Sequence, residues 1–230
     1  MINKKTYNEL LKKVSENGFL IHQVPNKYRT EELLLASLNH ASVFEMAKEQ
    51  MNQYYSCVLK AVSLNGNVLE HVDIKHHSDD LYSKAIKSNP YCIQFMDKNN
   101  LSYELKYLII SIEPELIDLI SINSNNFNDD DYILCKMAIK KDWETLEFIP
   151  KIYQTEELIK MALNQSGCCL EDIINPTLEH CHYAVSRTKS AIKFIPEQTI
   201  PKHELKNLSQ DEVLLKLEDM IKSHAILKDL

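Results

Sequence analysis

A short pattern of apolar and polar residues recurs eight times along the chain, at intervals of 22 to 29 residues. In six copies the pattern begins with an alanine, and we number each repeat from that reference position. The reference positions are Lys13, Ala36, Ala61, Ala85, Ile109, Ala138, Ala162 and Ala184. Self-similarity at a nearly constant period is typical of repeat proteins, so the pattern predicts one repeated supersecondary unit over roughly residues 7–205.

Three later positions in the repeat predict a short amphipathic helix. The eighth residue after the reference is large and apolar in every copy: Ile21, Phe44, Leu69, Ile93, Ile117, Leu146, Leu170 and Ile192. The eleventh is also apolar in every copy: Val24, Ala47, Val72, Met96, Ile120, Ile149, Ile173 and Ile195. The ninth is never apolar. Because residues three apart share a helical face, we expect the eighth and eleventh residues in the core and the ninth in solvent.

Glycine and proline are concentrated at two positions of the repeat. Eight of these ten residues lie either five residues after the reference or twelve after it: Gly18, Gly66, Pro90, Pro114 and Gly167, and then Pro25, Pro150 and Pro196. Both residue types favour the end of a helix and a turn. Acidic pairs and triplets such as Asp79–Asp80 and Asp129–Asp131 then suit helix N-termini. Each unit is therefore predicted to be a helix, a tight turn, a shorter helix and a loop.

A unit of about 24 residues cannot bury its own apolar face, so neighbouring units are expected to stack. The predicted fold class is all-α, an α-solenoid of about eight short helical hairpins. The strings Ala-Val-Ser-Leu-Asn-Gly-Asn-Val-Leu-Glu-His-Val at 61–72 and Ala-Ile-Lys-Lys-Asp-Trp-Glu-Thr-Leu-Glu-Phe-Ile-Pro at 138–150 resemble an uncharacterised bacterial helical-hairpin repeat family. Its members recur in tandem in proteins of bacteria that live inside host cells and of large viruses. The resemblance implies a protein-interaction scaffold, often effector-like, with no catalytic residue to transfer.

Two segments depart from the repeat. Residues 206–230 follow the helical-repeat array of residues 1–205 and predict a C-terminal capping helix, with a detachable docking helix as the alternative. Leu208, Ser209 and Glu212 there fit a hydrophobic staple and a capping box. The longest interval between repeats contains the Asn/Ser-rich segment 123–128. It is expected to be a hinge between two four-repeat halves or a binding loop.

Composition narrows the function classes. The chain has 33 acidic and 26 basic residues and a net charge of −7, which opposes binding to a phosphate backbone. We see no secretory signal, and the longest apolar run, 107–112, is too short to cross a membrane. The six cysteines form no CxxC pair, which suits a reducing compartment. A cytoplasmic protein is expected, with delivery into a host-cell cytosol as the alternative, and neither a nucleic-acid nor a membrane partner is expected.

One group of residues suggests chemistry: Cys168, Cys169, His180, Cys181 and His182. Thiolate and imidazole ligands suit zinc, and a cysteine beside a histidine suits a nucleophile, so an enzyme with a Cys/His site near 168–182 is the alternative function. The spacing is unlike the usual zinc motifs, and the repeat places Cys169 and Cys181 at apolar positions. We therefore favour a structural role for these cysteines and expect a non-enzyme without metal or cofactor.

A second group of histidines is interpreted as a polar loop between helices. It contains His71, His76 and His77, together with Asp73. An RNA-binding helical repeat is a third and more distant hypothesis, opposed by the acidic charge balance.

The candidate partner surface is the ninth position of the repeat, which is acidic in five of eight copies: Glu45, Glu70, Asp118, Glu147 and Glu171. We name these residues the acidic column. Trp143, at the turn position, is a candidate anchor beside it. Stacked repeats would align these charges into a ridge that steers a basic partner, although a solvated face also explains the pattern. The predicted function is a non-catalytic protein-binding scaffold, an effector-like or inhibitory protein that masks or repositions a partner protein.

Overall fold

The computed structural model describes residues 4–228, of which the great majority are helical and none is in a strand. This confirms the predicted all-α class. The chain divides into two compact units, Met1–Glu113 and Pro114–Leu230. The division runs through the fifth repeat, and the segment 123–128, predicted as a hinge or binding loop, lies within the second unit.

The first unit contains α-helices and short 3₁₀ helices, the latter labelled η. Its helices are α1 Lys4–Glu16, η1 Gly18–Gln23, η2 Asn26–Tyr28, α2 Glu31–Ser37, α3 Val43–Met46, α4 Lys48–Met51, α5 Tyr55–Leu64, η3 Gly66–His71, η4 Ile74–His76, α6 Asp79–Ser88, η5 Pro90–Phe95, η6 Lys98–Asn100 and α7 Tyr103–Ile112.

The second unit follows the same alternation and ends in its longest helix. Its helices are η7 Pro114–Leu119, α8 Asp129–Lys141, η8 Trp143–Phe148, η9 Lys151–Tyr153, α9 Glu156–Gln165, η10 Gly167–Glu171, α10 Leu178–Arg187, η11 Lys189–Phe194, α11 Lys202–Leu205 and α12 Gln210–Lys228.

The shorter helix of the repeat is a 3₁₀ helix in every copy except the second, where α3 takes its place. A 3₁₀ helix has three residues per turn, so residues eight and eleven after the reference share one face. All eight residues at the eleventh position are buried, as are all at the eighth position except Ile192, which is half-buried. All eight residues at the ninth position are exposed. The predicted division between core and solvent positions is confirmed.

A single residue joins the two helices of most repeats, in place of the predicted tight turn. In the third repeat, Asn65 donates its backbone N–H to the Ala61 carbonyl (3.1 Å), and its side-chain Oδ1 accepts the backbone N–H of Asn67 (3.0 Å). This residue therefore ends one helix and caps the next, which satisfies backbone groups at both ends. The same pair of contacts is made by Asn17, Asn89, Asp142 and Ser166.

The glycines that follow these cap residues permit close approach to the next repeat. None of the three has a positive φ, so backbone dihedrals alone do not require glycine. A Cβ on Gly66 would lie less than 3.0 Å from the Ala85 carbonyl oxygen, and one on Gly167 would meet the Ala184 carbonyl oxygen in the same way. Ala85 and Ala184 are the reference residues of the following repeats. The glycine position thus marks a contact between repeats as well as a helix boundary.

Within each unit, neighbouring repeats pack helix against equivalent helix. In the first unit α5 packs against α6, α6 against α7, and η3 against η5. In the second unit α8 packs against α9 and α9 against α10, while η8 packs against both η7 and η10, and η10 against η11. The α-helices of these successive repeats thus contact one another, and so do the 3₁₀ helices named here.

Two amides reach from one repeat to the loop of the next in the same register. The buried Asn52 donates its side-chain N–H to the His71 carbonyl (3.0 Å) and accepts the backbone N–H of Asp73 (2.9 Å). In the second unit Gln154 makes the equivalent bonds to the Asp172 carbonyl (3.1 Å) and the Ile174 N–H (2.9 Å). Each amide therefore satisfies backbone groups ten and twelve residues after the next reference position.

The last helix covers the final repeat. Helix α12 packs against α10 and η11, and its Val213 and Leu217 are fully buried. Its start is a capping box, because Glu212 accepts the backbone N–H of Ser209 (2.7 Å) and donates its own backbone N–H to the Ser209 hydroxyl (3.3 Å). These are the Ser and Glu from which the capping helix was predicted.

Candidate functional site

The acidic column lies on the second helices of the repeats. In the second unit, Asp118 is on η7, Glu147 on η8 and Glu171 on η10. All three side chains are exposed, although the residues one before and two after each of them are buried. Because η8 packs against both η7 and η10, the three exposed carboxylates lie on neighbouring helices.

Further carboxylates surround this part of the acidic column. The half-buried Asp172 follows Glu171, and its pKa is raised to about 6, first by burial and then by the negative charges of Glu147, Glu171 and Glu144. The like charges are therefore close enough to oppose the ionisation of a fourth carboxyl. A cation brought to this surface would relieve that repulsion.

Asp172 is a site residue that the sequence reasoning missed. It stands ten residues after its reference, a position occupied by Phe95, Leu119, Phe148 and Phe194 in other repeats. A charge at a position that is apolar in most copies is the signal that identifies it.

In the first unit the acidic column contains Glu45 on α3 and Glu70 on η3, both exposed. Glu45 lies 2.8 Å from Nε2 of His71, which belongs to the following repeat. This carboxylate is therefore already engaged within the unit.

Trp143 is the first residue of η8 and is partly exposed. It precedes Glu144 and lies on the same helix as Glu147. Large aromatic side chains in such positions contribute much of the binding energy in protein interfaces.

The cysteines and histidines of 168–182 have separate partners. The side chain of His180 is buried and lies 2.9 Å from Glu156, and His182 lies 3.3 Å from Glu218. The Cys168 Sγ lies 3.2 Å from the Ser190 hydroxyl. Burial raises the pKa of Cys169 to about 12, which opposes formation of the thiolate that a nucleophile or a metal ligand requires.

The histidines near residue 71 are likewise engaged in bonds between repeats and within the loop. His76 Nε2 lies 2.6 Å from the Asn52 carbonyl oxygen, and His77 Nδ1 lies 2.9 Å from the Tyr82 hydroxyl. Over residues 4–228, no cluster of three or more His, Cys, Asp or Glu side chains is arranged to hold a metal ion.

A basic pocket of about 520 Å³ lies in the second unit, beside the last repeat, and sequence reasoning missed it. Lys189 and Lys193 on η11 line one side, and Lys202 on α11 with Lys206 just after it lines the other. The signal in the sequence is that both lysine pairs are spaced by four residues, on either side of a proline-containing loop.

In the part of the chain that the structure describes, no helix combines the length and apolar character needed to cross a membrane. No protein-family model matches the sequence, and neither a curated protein nor a solved structure is detectably similar to it.

Proposed function

We propose that this chain is a non-catalytic protein-binding scaffold whose acidic column, centred on Asp118, Glu147 and Glu171, docks a basic surface of a partner protein. The observation that supports the proposal is the register of these carboxylates. All three are exposed on neighbouring helices. Burial, and then the charges of Glu147, Glu171 and Glu144, raise the pKa of Asp172 to about 6. Complementary charge on a partner would relieve this repulsion and accelerate association.

The proposed consequence of binding is masking or repositioning of the partner, as in an effector-like or inhibitory protein. Docking over an extended surface would cover the partner's basic face and would require no reacting group on this chain. The partly exposed Trp143 supplies an apolar anchor at the edge of the same surface.

Comparing the proteins that immobilised variants of this chain capture from a cell lysate tests this function. Wild-type protein is compared with a triple variant, D118K/E147K/E171K, and with a control triple variant, D130K/E197K/D211K, whose exposed acidic residues lie off the acidic column. Both triple variants change the net charge by the same amount. Circular dichroism and thermal melting first establish that both are folded.

We expect at least one protein to be captured by both the wild type and the control variant but not by the acidic-column variant. Equal capture by all three proteins would contradict it, and so would the absence of any protein retained in a saturable manner by the wild type.

We also propose that the repeats stack as an α-solenoid, with stability determined by neighbouring repeats. The support is the equivalent packing of successive helices in each unit and the recurrence of the Asn65-type cap. Deleting the 24 residues 78–101 removes one repeat and joins His77 to Ser102, which precedes α7 as Ser78 precedes α6. In a solenoid the shortened chain stays helical and melts cooperatively.

Deleting only residues 78–89 is the matched control, because it breaks the register by half a repeat. It is expected to destroy cooperative melting. Loss of helix in the 24-residue deletion as well would contradict the solenoid.

A further inference from the structure

The basic pocket exists because the row of 3₁₀ helices ends at η11. The eighth residue after the reference is buried in seven repeats, but Ile192 in the last repeat is only half-buried. Helix α11 stands beside η11, where another copy of the second helix would otherwise lie. The basic pocket is the trough between these two helices, and Ile192 and Leu205 are among its lining residues. The trough therefore has apolar lining where another repeat would otherwise pack.

The two sides of this trough are positively charged. Lys189 and Lys193 stand four residues apart on one side, and Lys202 and Lys206 stand four apart on the other. No acidic residue lines the pocket. Glu204, which lies between the lysines of the second side, instead pairs with Lys216 of α12 and lines a different groove.

The four lysines have no carboxylate partner within 4.0 Å in the described part of the chain. The Lys193 ammonium lies 4.5 Å from the centroid of the Phe194 ring. Lys202 on α11 and Lys206 just after it are exposed. In a chain of net charge −7, four lysines without a carboxylate partner around an apolar floor form a surface opposite in character to the acidic column.

We propose that this trough is a second docking site, which takes a short acidic segment of a partner protein with one large apolar side chain at its centre. The apolar side chain contacts Ile192 and Leu205, and flanking carboxylates reach the lysines on both sides. A volume of about 520 Å³ is large enough for a bulky side chain and its neighbours, whereas a free inorganic anion leaves the apolar floor uncovered. The proposal is independent of the acidic column.

A second copy of this chain is a poorer occupant at its N-terminal end. Helix α1 there has four lysines against two glutamates and is therefore net positive, so end-to-end stacking of copies would bring an excess of like charge together.

Fluorescence anisotropy with labelled peptides tests the proposal on the full chain. The probes have two acidic residues on each side of a central Leu, Phe or Trp. Their controls are a Gly-centred peptide and a Phe-centred peptide flanked by lysines. The pocket variant is K189Q/K193Q/K202Q/K206Q, and its matched control, K48Q/K87Q/K140Q/K151Q, removes four exposed lysines elsewhere.

The expected result is saturable binding of at least one acidic, apolar-centred peptide by the wild type and by the control variant. The pocket variant should bind that peptide at least about tenfold more weakly, since several charge contacts are lost together. Ile192→Ala should also weaken binding of the apolar-centred peptides, measured at a temperature at which circular dichroism shows the variant to be folded.

Four results would overturn the proposal. These are no saturable binding of any acidic probe, equal weakening in both lysine variants, displacement of the probe by inorganic phosphate alone, and tighter binding of dodecanoate than of every peptide. The last two would make the trough a site for free anions or for amphiphiles.

Discussion

Replacing Gly66 with alanine tests the contact between repeats through the sign of its effect on stability. Gly66 has no positive φ, so alanine can adopt its backbone conformation. Without a close neighbour, Gly→Ala at such a position stabilises a protein by about 0.4–1 kcal/mol, because the unfolded chain loses freedom. Here the new Cβ would lie less than 3.0 Å from the Ala85 carbonyl oxygen and about as close to other backbone atoms of the next repeat.

Backbone cannot move aside as a flexible side chain can, so the two repeats must separate locally. Overpacking of this kind costs about 1–3 kcal/mol. We therefore expect Gly66→Ala to lower the free energy of unfolding in urea by about that amount, without a change in the slope of the transition.

Lys189→Ala is the matched control, because Lys189 holds the same position in the last repeat and is exposed. Its effect should stay within about 0.5 kcal/mol. If Gly66→Ala left stability unchanged or raised it, the close approach of the third and fourth repeats would be refuted.

Two further predictions concern the core and the acidic surface. Leu146→Ala should lower the free energy of unfolding by about 2–5 kcal/mol in a denaturant titration, because Leu146 is fully buried at the eighth position of its repeat. Ile120→Glu should abolish cooperative melting of the second unit, because it places a charge at a buried position. An unchanged melt in either variant would contradict the assigned register. The pKa of Asp172, raised to about 6 by burial and then by neighbouring carboxylates, means that the folded state holds this proton more tightly than the unfolded state, so its ionisation costs stability as pH rises from about 4 through 6. Asp172→Asn should therefore stabilise the protein at pH 7 by about 1–2 kcal/mol, an amount that already allows for solvent screening of this half-buried group. The gain in stability should vanish near pH 4, and a gain independent of pH would contradict the raised pKa of Asp172.

The positions of the core residues were predictable because burial imposes a period on the sequence. A residue such as Leu146 must be apolar wherever the next helix covers it, and eight copies make that requirement visible. The same reasoning placed Glu147 in solvent, because it stands between two buried positions. The acidic starts of α6 and α8 and the capping box of α12 were predictable from local hydrogen-bonding chemistry.

Other features depend on contacts that no periodicity records. The need for glycine at Gly66 comes from a carbonyl nineteen residues later. The second helix is of the 3₁₀ type in seven repeats, which an apolar spacing of three residues does not distinguish from an α-helix. The basic trough required knowing that α11 stands beside η11. The boundary between the compact units at 113/114 has no counterpart in the pattern, which continues through the fifth repeat.

The salt dependence of partner binding shows whether the acidic column is the docking surface. A protein captured by the wild type is titrated calorimetrically against wild-type chain, D118K/E147K/E171K and D130K/E197K/D211K at two salt concentrations. We expect the wild type and the control to bind with an affinity that falls as salt rises. The acidic-column variant should bind at least about tenfold more weakly, with little salt dependence. If the affinity and the salt dependence both survived in the acidic-column variant, the acidic column would be a solvated surface and the partner would bind elsewhere.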